Sequence, residues 1–405
     1  MLENYILNGK RIMEEEFGFS PKKTKLEIYP EKEWMDFLRK KKFSKDIDGV
    51  FETFKLVAKI KRGKSLDSLP YLIHEYFGHG SFYEFSLLGK KLRDYEERIL
   101  AGRKDLVDEY ISLRSKMEWL YEGYAIWIEE FMLKKFNLSE LWKKRKNELD
   151  ENYLSYFEEI KNEEEKIGKL NLIYKIGFPR NFEKKFIIRA VEELLKKDFD
   201  KIKYLILYGS KKIYSDIDLL AVFGRNDCVY FNGIIDMLKL GTGSFKNLCK
   251  KLDLNVSNIL LTGDVVIGDV ENYLKILYKG VTEEAIRHAK TKSFSFFNNA
   301  LYFYNLGVYE LNKISIQSGN FHLTDLSNGE NKNDLENINF SHSLNNLSFS
   351  LSYGICYKLY LKGIAPLTFK DVLNEDSGLI SQIREAMKNR PTKNQTEYFL
   401  SLIHI

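Results

Sequence analysis

Cysteine is scarce in this chain. Three residues in 405, Cys228, Cys249 and Cys356, give neither a disulfide framework nor metal-site spacing. That fits a reducing compartment, and the expected location is the cytoplasm. Long apolar runs are missing too. None approaches the ~20 residues of a membrane-spanning helix, and the opening MLENYILNGKR lacks a signal-peptide core. No membrane partner is expected. No repeat of solenoid period is visible. Neither sign of charge dominates, since 63 Lys and Arg against 58 Asp and Glu leave +5. Such a balance permits nucleotide or nucleic-acid binding without demanding it. Histidine numbers only six, so two close together stand out.

What remains is the composition of a globular protein, 44% hydrophobic and 30% charged. A chain this long calls for two or three domains. The pattern predicts an α+β fold. A mostly helical domain with a connecting helix occupies 1–165, a mixed-sheet domain 180–285 and a helical domain 286–405. Gly168 and Gly177-Phe178-Pro179 punctuate the charged stretch between the first two. Lys25–Tyr29 and 49–60 read as strands, and 31–42 as a helix. Asn181 is placed to cap a helix over 182–197. Gly241-Thr242-Gly243-Ser244 reads as the turn into a helix over 245–252. Segments 293–312 and 341–362 read as two packed helices, with an Asn- and Ser-rich loop, 318–339, between them.

Residues 204–225, YLILYGSKKIYSDIDLLAVFGR, read as strand, tight turn and strand. In a strand Asp216 and Asp218 point the same way, roughly 7 Å apart. Two carboxylates on one face repel unless a cation lies between them, and such oxygen ligands suit Mg²⁺. Gly209 allows a backbone to approach a phosphate closely, and Ser210 adds a hydroxyl donor. The plain alternative is a surface hairpin with two solvated Asp.

This G-S-x5-D-I-D-L pattern resembles the nucleotidyltransferase superfamily that includes DNA polymerase β, most of all its minimal branch. The resemblance implies that Gly209 and Ser210 hold the outer phosphates of an NTP. It implies that Asp216 and Asp218 hold two Mg²⁺ ions. The family's third carboxylate matches Asp236, entered from 229–231 through an Asn232-Gly233 hairpin signal. Asp236 would help position the metal that activates the acceptor hydroxyl. Segment 260–269 resembles the T-G-x-V-x-x-G-D turn that closes many such domains. One departure stands out: the loop from Ser210 to Asp216 is shorter than the family's.

A second chemical stretch is His74-Glu75-Tyr76-Phe77-Gly78-His79, one residue longer than H-E-x-x-H. On a regular α-helix, positions i and i+5 diverge by about 140°. Both rings reach one metal only if the helix widens, as in a π-bulge, and Gly78 permits such a distortion. Glu75 and His79 alone, at i and i+4, would need no bulge. A catalytic zinc takes three protein ligands. Glu122, set in the apolar helix 118–131, is a carboxylate in need of a partner. A core helix with hydrogen-bonded His and Glu is the plain alternative.

Trp119-Leu120-Tyr121-Glu122-Gly123-Tyr124-Ala125 resembles the third-ligand helix W-L-x-E-G-x-A of gluzincin metallopeptidases. One gluzincin branch carries the longer H-E-x-x-x-H spacing. By that resemblance His74, His79 and Glu122 bind Zn²⁺, and Glu75 is the general base. Together the two resemblances imply NMP transfer from an NTP to an acceptor hydroxyl, fused to a zinc peptidase-like domain. The partners would be an NTP and a protein or peptide substrate, with an RNA acceptor compatible. Two alternatives stand beside this reading. One is a nucleotide-sensing regulator with a degenerate transferase site. The other is an RNA end-modifying transferase with a structural N-terminal domain.

Overall fold

The structure, a computed structural model, describes residues 2–63, 66–224, 228–231, 234–313, 334–376, 378–389 and 391–402. The fold is α+β. Two compact units divide the chain. The first comprises 1–201, 210–217 and 231–236, and the second 202–209, 218–230 and 237–405.

The first unit opens with α1 (Leu2–Phe17), β1 (Lys25–Tyr29) and α2 (Glu31–Lys41). The stretch 49–60 is a hairpin and not one strand: β2 (Gly49–Glu52) turns through Leu56, at φ 51°, into β3 (Val57–Lys61). β3 pairs with β1 in parallel and with β2 antiparallel. The order β1-β3-β2 leaves β2 at an edge. The carboxylate of Glu84 fixes the entry to β1 by accepting the backbone N–H groups of Lys22, Lys23 and Thr24.

After β3 the unit is helical. α3 (Leu69–Leu72), a π-helix (Ile73–His79) and α4 (Gly80–Phe85) run on without a break. Then come α5 (Leu87–Leu100), α6 (Val107–Lys116), α7 (Glu118–Lys135), α8 (Ser139–Glu148), α9 (Glu151–Ile167), α10 (Lys169–Lys175) and α11 (Lys184–Leu195). α7 is the axis of this unit. Its residues from Gly123 to Leu133 are buried, Glu129 and Glu130 among them, so this stretch has no solvent face. Trp127 packs on Phe17 and Phe131, and Tyr124 on Phe178. Asn181 does not cap α11. Its carboxamide oxygen accepts from the backbone N–H of Glu183 at 3.0 Å, and the helix starts one residue later.

The five-stranded sheet has the order β6-β7-β5-β4-β8, with β4 (Tyr204–Tyr208), β5 (Ile217–Phe223), β6 (Cys228–Phe231), β7 (Ile235–Gly241) and β8 (Asp264–Ile267). β4 pairs antiparallel with β5 and β8. The Asn232-Gly233 hairpin signal lies outside the described residues, as does most of the loop 318–339. The Gly241–Ser244 stretch is not a loop. Gly241 ends β7, and Thr242 begins α12 (Thr242–Lys250).

α13 (Leu254–Thr262) and α14 (Glu271–Leu277) pack on the sheet, with Ile206, Leu220, Val222, Phe245 and Leu260 in the shared core. α15 (Glu283–Lys313) and α16 (Asp334–Tyr360) follow, both longer than the sequence pattern suggests. Ser293 bonds to Ser350 and Ser343 to Ala300, so the two helices run antiparallel. α17 (Phe369–Asn374), α18 (Leu379–Lys388) and α19 (Lys393–Ser401) complete the chain.

Candidate metal centre

The π-helix solves the problem posed by the five-residue spacing. Its i→i+5 hydrogen bonds bring His74 and His79 onto one face. Gly78 contributes in a way its backbone freedom does not explain. A Cβ there would lie 2.7 Å from Cα and Cβ of Ala125. Only glycine lets α7 approach this closely, and that approach carries Glu122 to the two rings.

His74 Nε2 lies 3.4 Å from Glu122 Oε2, and His79 Nε2 lies 3.3 Å from the same oxygen. The imidazole centroids are 4.8 Å apart, with the rings edge to face. Ligands held at about 2.0–2.1 Å on a tetrahedral zinc sit roughly 3.4 Å from one another. Among the described residues, His74, His79 and Glu122 alone form a set of three or more His, Cys, Asp or Glu donors within 4.8 Å of one another.

All three side chains are nearly out of solvent, so their charges matter. Burial works against the imidazolium of His74, yet the carboxylates of Glu122, Glu129 and Glu75 outweigh it and raise its pKa to about 10. Burial works against the charge of Glu122 too, but His79 and His74 hold its pKa well below the carboxylate range. Burial raises Glu75, with the two histidines opposing. Three carboxylates thus lie around the two imidazoles. The donor set and its spacing fit a zinc ion.

Glu129 has no counterpart in the sequence reading. It lies seven residues beyond Glu122, two turns along α7 on the same side, and is fully buried. Its Oε2 faces His74 Nδ1 at 3.4 Å, and its Oε1 accepts from Nε of Arg145 at 3.2 Å. Metal-bound histidines commonly direct the other ring nitrogen at a carboxylate. The available signal was a Glu seven residues beyond Glu122 in a largely apolar stretch of helix.

A cleft of about 490 Å³ opens onto these groups. Gly49 of β2 lies against Glu75, and a Cβ there would meet Glu75 Oε1 at 2.8 Å. Tyr153 lines the cleft from α9, where Asp150 caps the helix by accepting from the Tyr153 N–H at 2.9 Å. The charge of Glu122, then burial, raises the Tyr153 phenol above its ordinary pKa.

The aspartates stand elsewhere. Asp216 precedes β5 and is half exposed, with Nη2 of the buried Arg180 at 3.9 Å. Asp236 lies on β7, its pKa raised by burial and then by the charge of Asp216. Gly209 ends β4 at φ +74°, and a Cβ there would lie 2.0 Å from Asp218 Oδ2. Ser210 is exposed. Its carbonyl accepts from Ser215 Oγ at 2.9 Å, which closes the short loop.

No family model and no curated protein matches the sequence. Among solved structures the chain is similar to a nucleotidyltransferase-like protein from Exiguobacterium sibiricum 255-15. The identity is 11%, over 53% of this chain and 75% of that one, with a TM-score of 0.22. At that score the likeness carries no argument about this chain.

Proposed function

We propose that the first unit is a zinc-dependent peptidase with His74, His79 and Glu122 as ligands. The observation that supports it most is the convergence of both imidazoles on one oxygen of Glu122 through a π-helix. A bound zinc would supply Lewis acidity. The chain's own groups would do the rest. Glu75 would take a proton from water at its carboxylate and pass it to the leaving amine. Tyr153 would donate its phenolic O–H to the developing oxyanion. β2 borders the cleft and is an edge strand among the described residues, where an extended peptide would add as a further strand.

Zinc content and peptide cleavage test this reading together. Glu75→Gln should keep zinc and lose cleavage, while Glu122→Ala should lose zinc. Zinc-free wild-type protein purified under non-chelating conditions would sink it.

A second reading has support from Gly209. Its positive φ and its close approach to Asp218 suit a turn built for a phosphate. On this reading Asp216, Asp218 and Asp236 would hold Mg²⁺ and an NTP, and the chain would transfer a nucleotide. Labelled NTP, scored for transfer to protein and to RNA, tests it. A fully active Asp218→Asn protein would exclude it.

A further inference from the structure

Several charged groups that line the cleft, Asp46, Asp48, Arg114 and Glu148, have no part in the chemistry above. Arg114, on α6, lines the same cavity as His74, Glu75, His79 and Glu122. Its neighbours are phenols. Nη1 donates to Tyr110 at 3.2 Å, a second hydrogen bond goes to Tyr121, and Tyr83 stands close. Burial raises the pKa of all three phenols, so they stay neutral. Glu96 feels the charge of Arg114, but among the described residues no carboxylate pairs with the guanidinium. Arg145, the other arginine of the cleft, differs. It is bound to Glu129 and lies 4.8 Å over the ring of Tyr71.

We propose that Arg114 is the receptor for a carboxylate of the substrate, an inference that rests on the peptidase reading. A guanidinium presents a planar fork that matches a carboxylate with two parallel hydrogen bonds. The phenols hold that fork in the cleft without cancelling its charge. A partner carboxylate inside the protein would have used the group up. Its absence beside a hydrolytic centre leaves the position for the ligand. The carboxylate is either the C-terminal one of a peptide or an Asp or Glu side chain near the scissile bond.

Three fluorescent short peptides of one sequence separate these sources. The first carries a free C-terminus and neutral side chains, the second a C-terminal amide, and the third that amide with one Glu added. Each is titrated into zinc-supplemented Glu75→Gln protein, which binds without turnover. The same titrations are run with Arg114→Gln and Arg114→Lys added in turn. A charge-assisted pair supports an advantage of about tenfold or more for one carboxylate peptide over the neutral one. That ratio should fall towards one in Arg114→Gln and only partly in Arg114→Lys. The lysine variant decides the matter should the glutamine variant fail to fold. Equal binding of all three peptides, or an advantage that survives loss of Arg114, overturns the receptor. Wild-type protein that binds with this preference but cleaves none of the peptides sinks the peptidase reading and leaves the receptor standing.

Discussion

Glu129 Oε2 lies 3.4 Å from Nδ1 of His74, on the ring nitrogen opposite the Glu122 contact. The imidazole is thus held between two carboxylates of one helix. Removing the outer one should leave His74, His79 and Glu122 in place but let the ring turn. Glu129→Gln is expected to weaken zinc binding about 10- to 100-fold. Competition with a chromogenic chelator measures it. An unchanged affinity would remove Glu129 from the metal site.

The raised pKa of His74 changes the expected pH range. An ordinary histidine near 6.5 competes with zinc only in mild acid. With a pKa of about 10 in the metal-free protein, the proton competes across the neutral range. Apparent zinc affinity should rise roughly tenfold per pH unit up to about pH 10. Stability of the metal-free protein follows the opposite course. A histidine raised on folding stabilises fully below its unfolded pKa, and that stability is lost as pH climbs through about 10. The metal-free melting temperature should therefore decline from about pH 6.5 towards pH 10. A flat profile would contradict the charged cluster.

Gly78→Ala tests the close approach of the two helices. The new methyl would meet the Ala125 backbone at 2.7 Å, so α7 must move. A loss of ~1–3 kcal/mol in chemical denaturation is expected. Zinc affinity should fall with it, because Glu122 rides on α7. Normal affinity in a destabilised protein would separate packing from the metal site.

Gly209→Ala addresses the second unit. Its methyl would be strained at positive φ, by about 1–2 kcal/mol, and would collide with Asp218 Oδ2. Binding of Mg-NTP, followed by calorimetry, should be lost before global folding is. Equal NTP binding by mutant and wild type would remove this turn from nucleotide recognition.

Much of the local structure was legible because local rules decide it. Alternation marks Lys25–Tyr29 as a strand, a short apolar run marks Tyr204–Tyr208 as a buried one, and a longer apolar run marks α7 as a buried helix. The H-E-x-x-x-H spacing required a widened turn, since a regular helix drives the two rings apart. Boundaries were read less well. The stretch 49–60 looks continuous, yet Leu56 turns back at positive φ so that β2 and β3 can pair. Asn181 has a capping side chain but makes a local turn, since Glu183 is the N-cap and the helix begins at Lys184.

The sequence by itself determined which elements form and which donor types each carries, because backbone propensity and side-chain period act over a few residues. Only the tertiary structure decided which donors meet. Glu122 reaches His74 and His79 because Gly78 admits the Ala125 backbone. Glu129 meets the far side of His74 because the same helix continues on the same face. Gly49 lies on Glu75, and Arg114 enters the cleft from a separate helix. These contacts join residues tens of positions apart, and their geometry follows from the packing of whole helices, which no local pattern encodes.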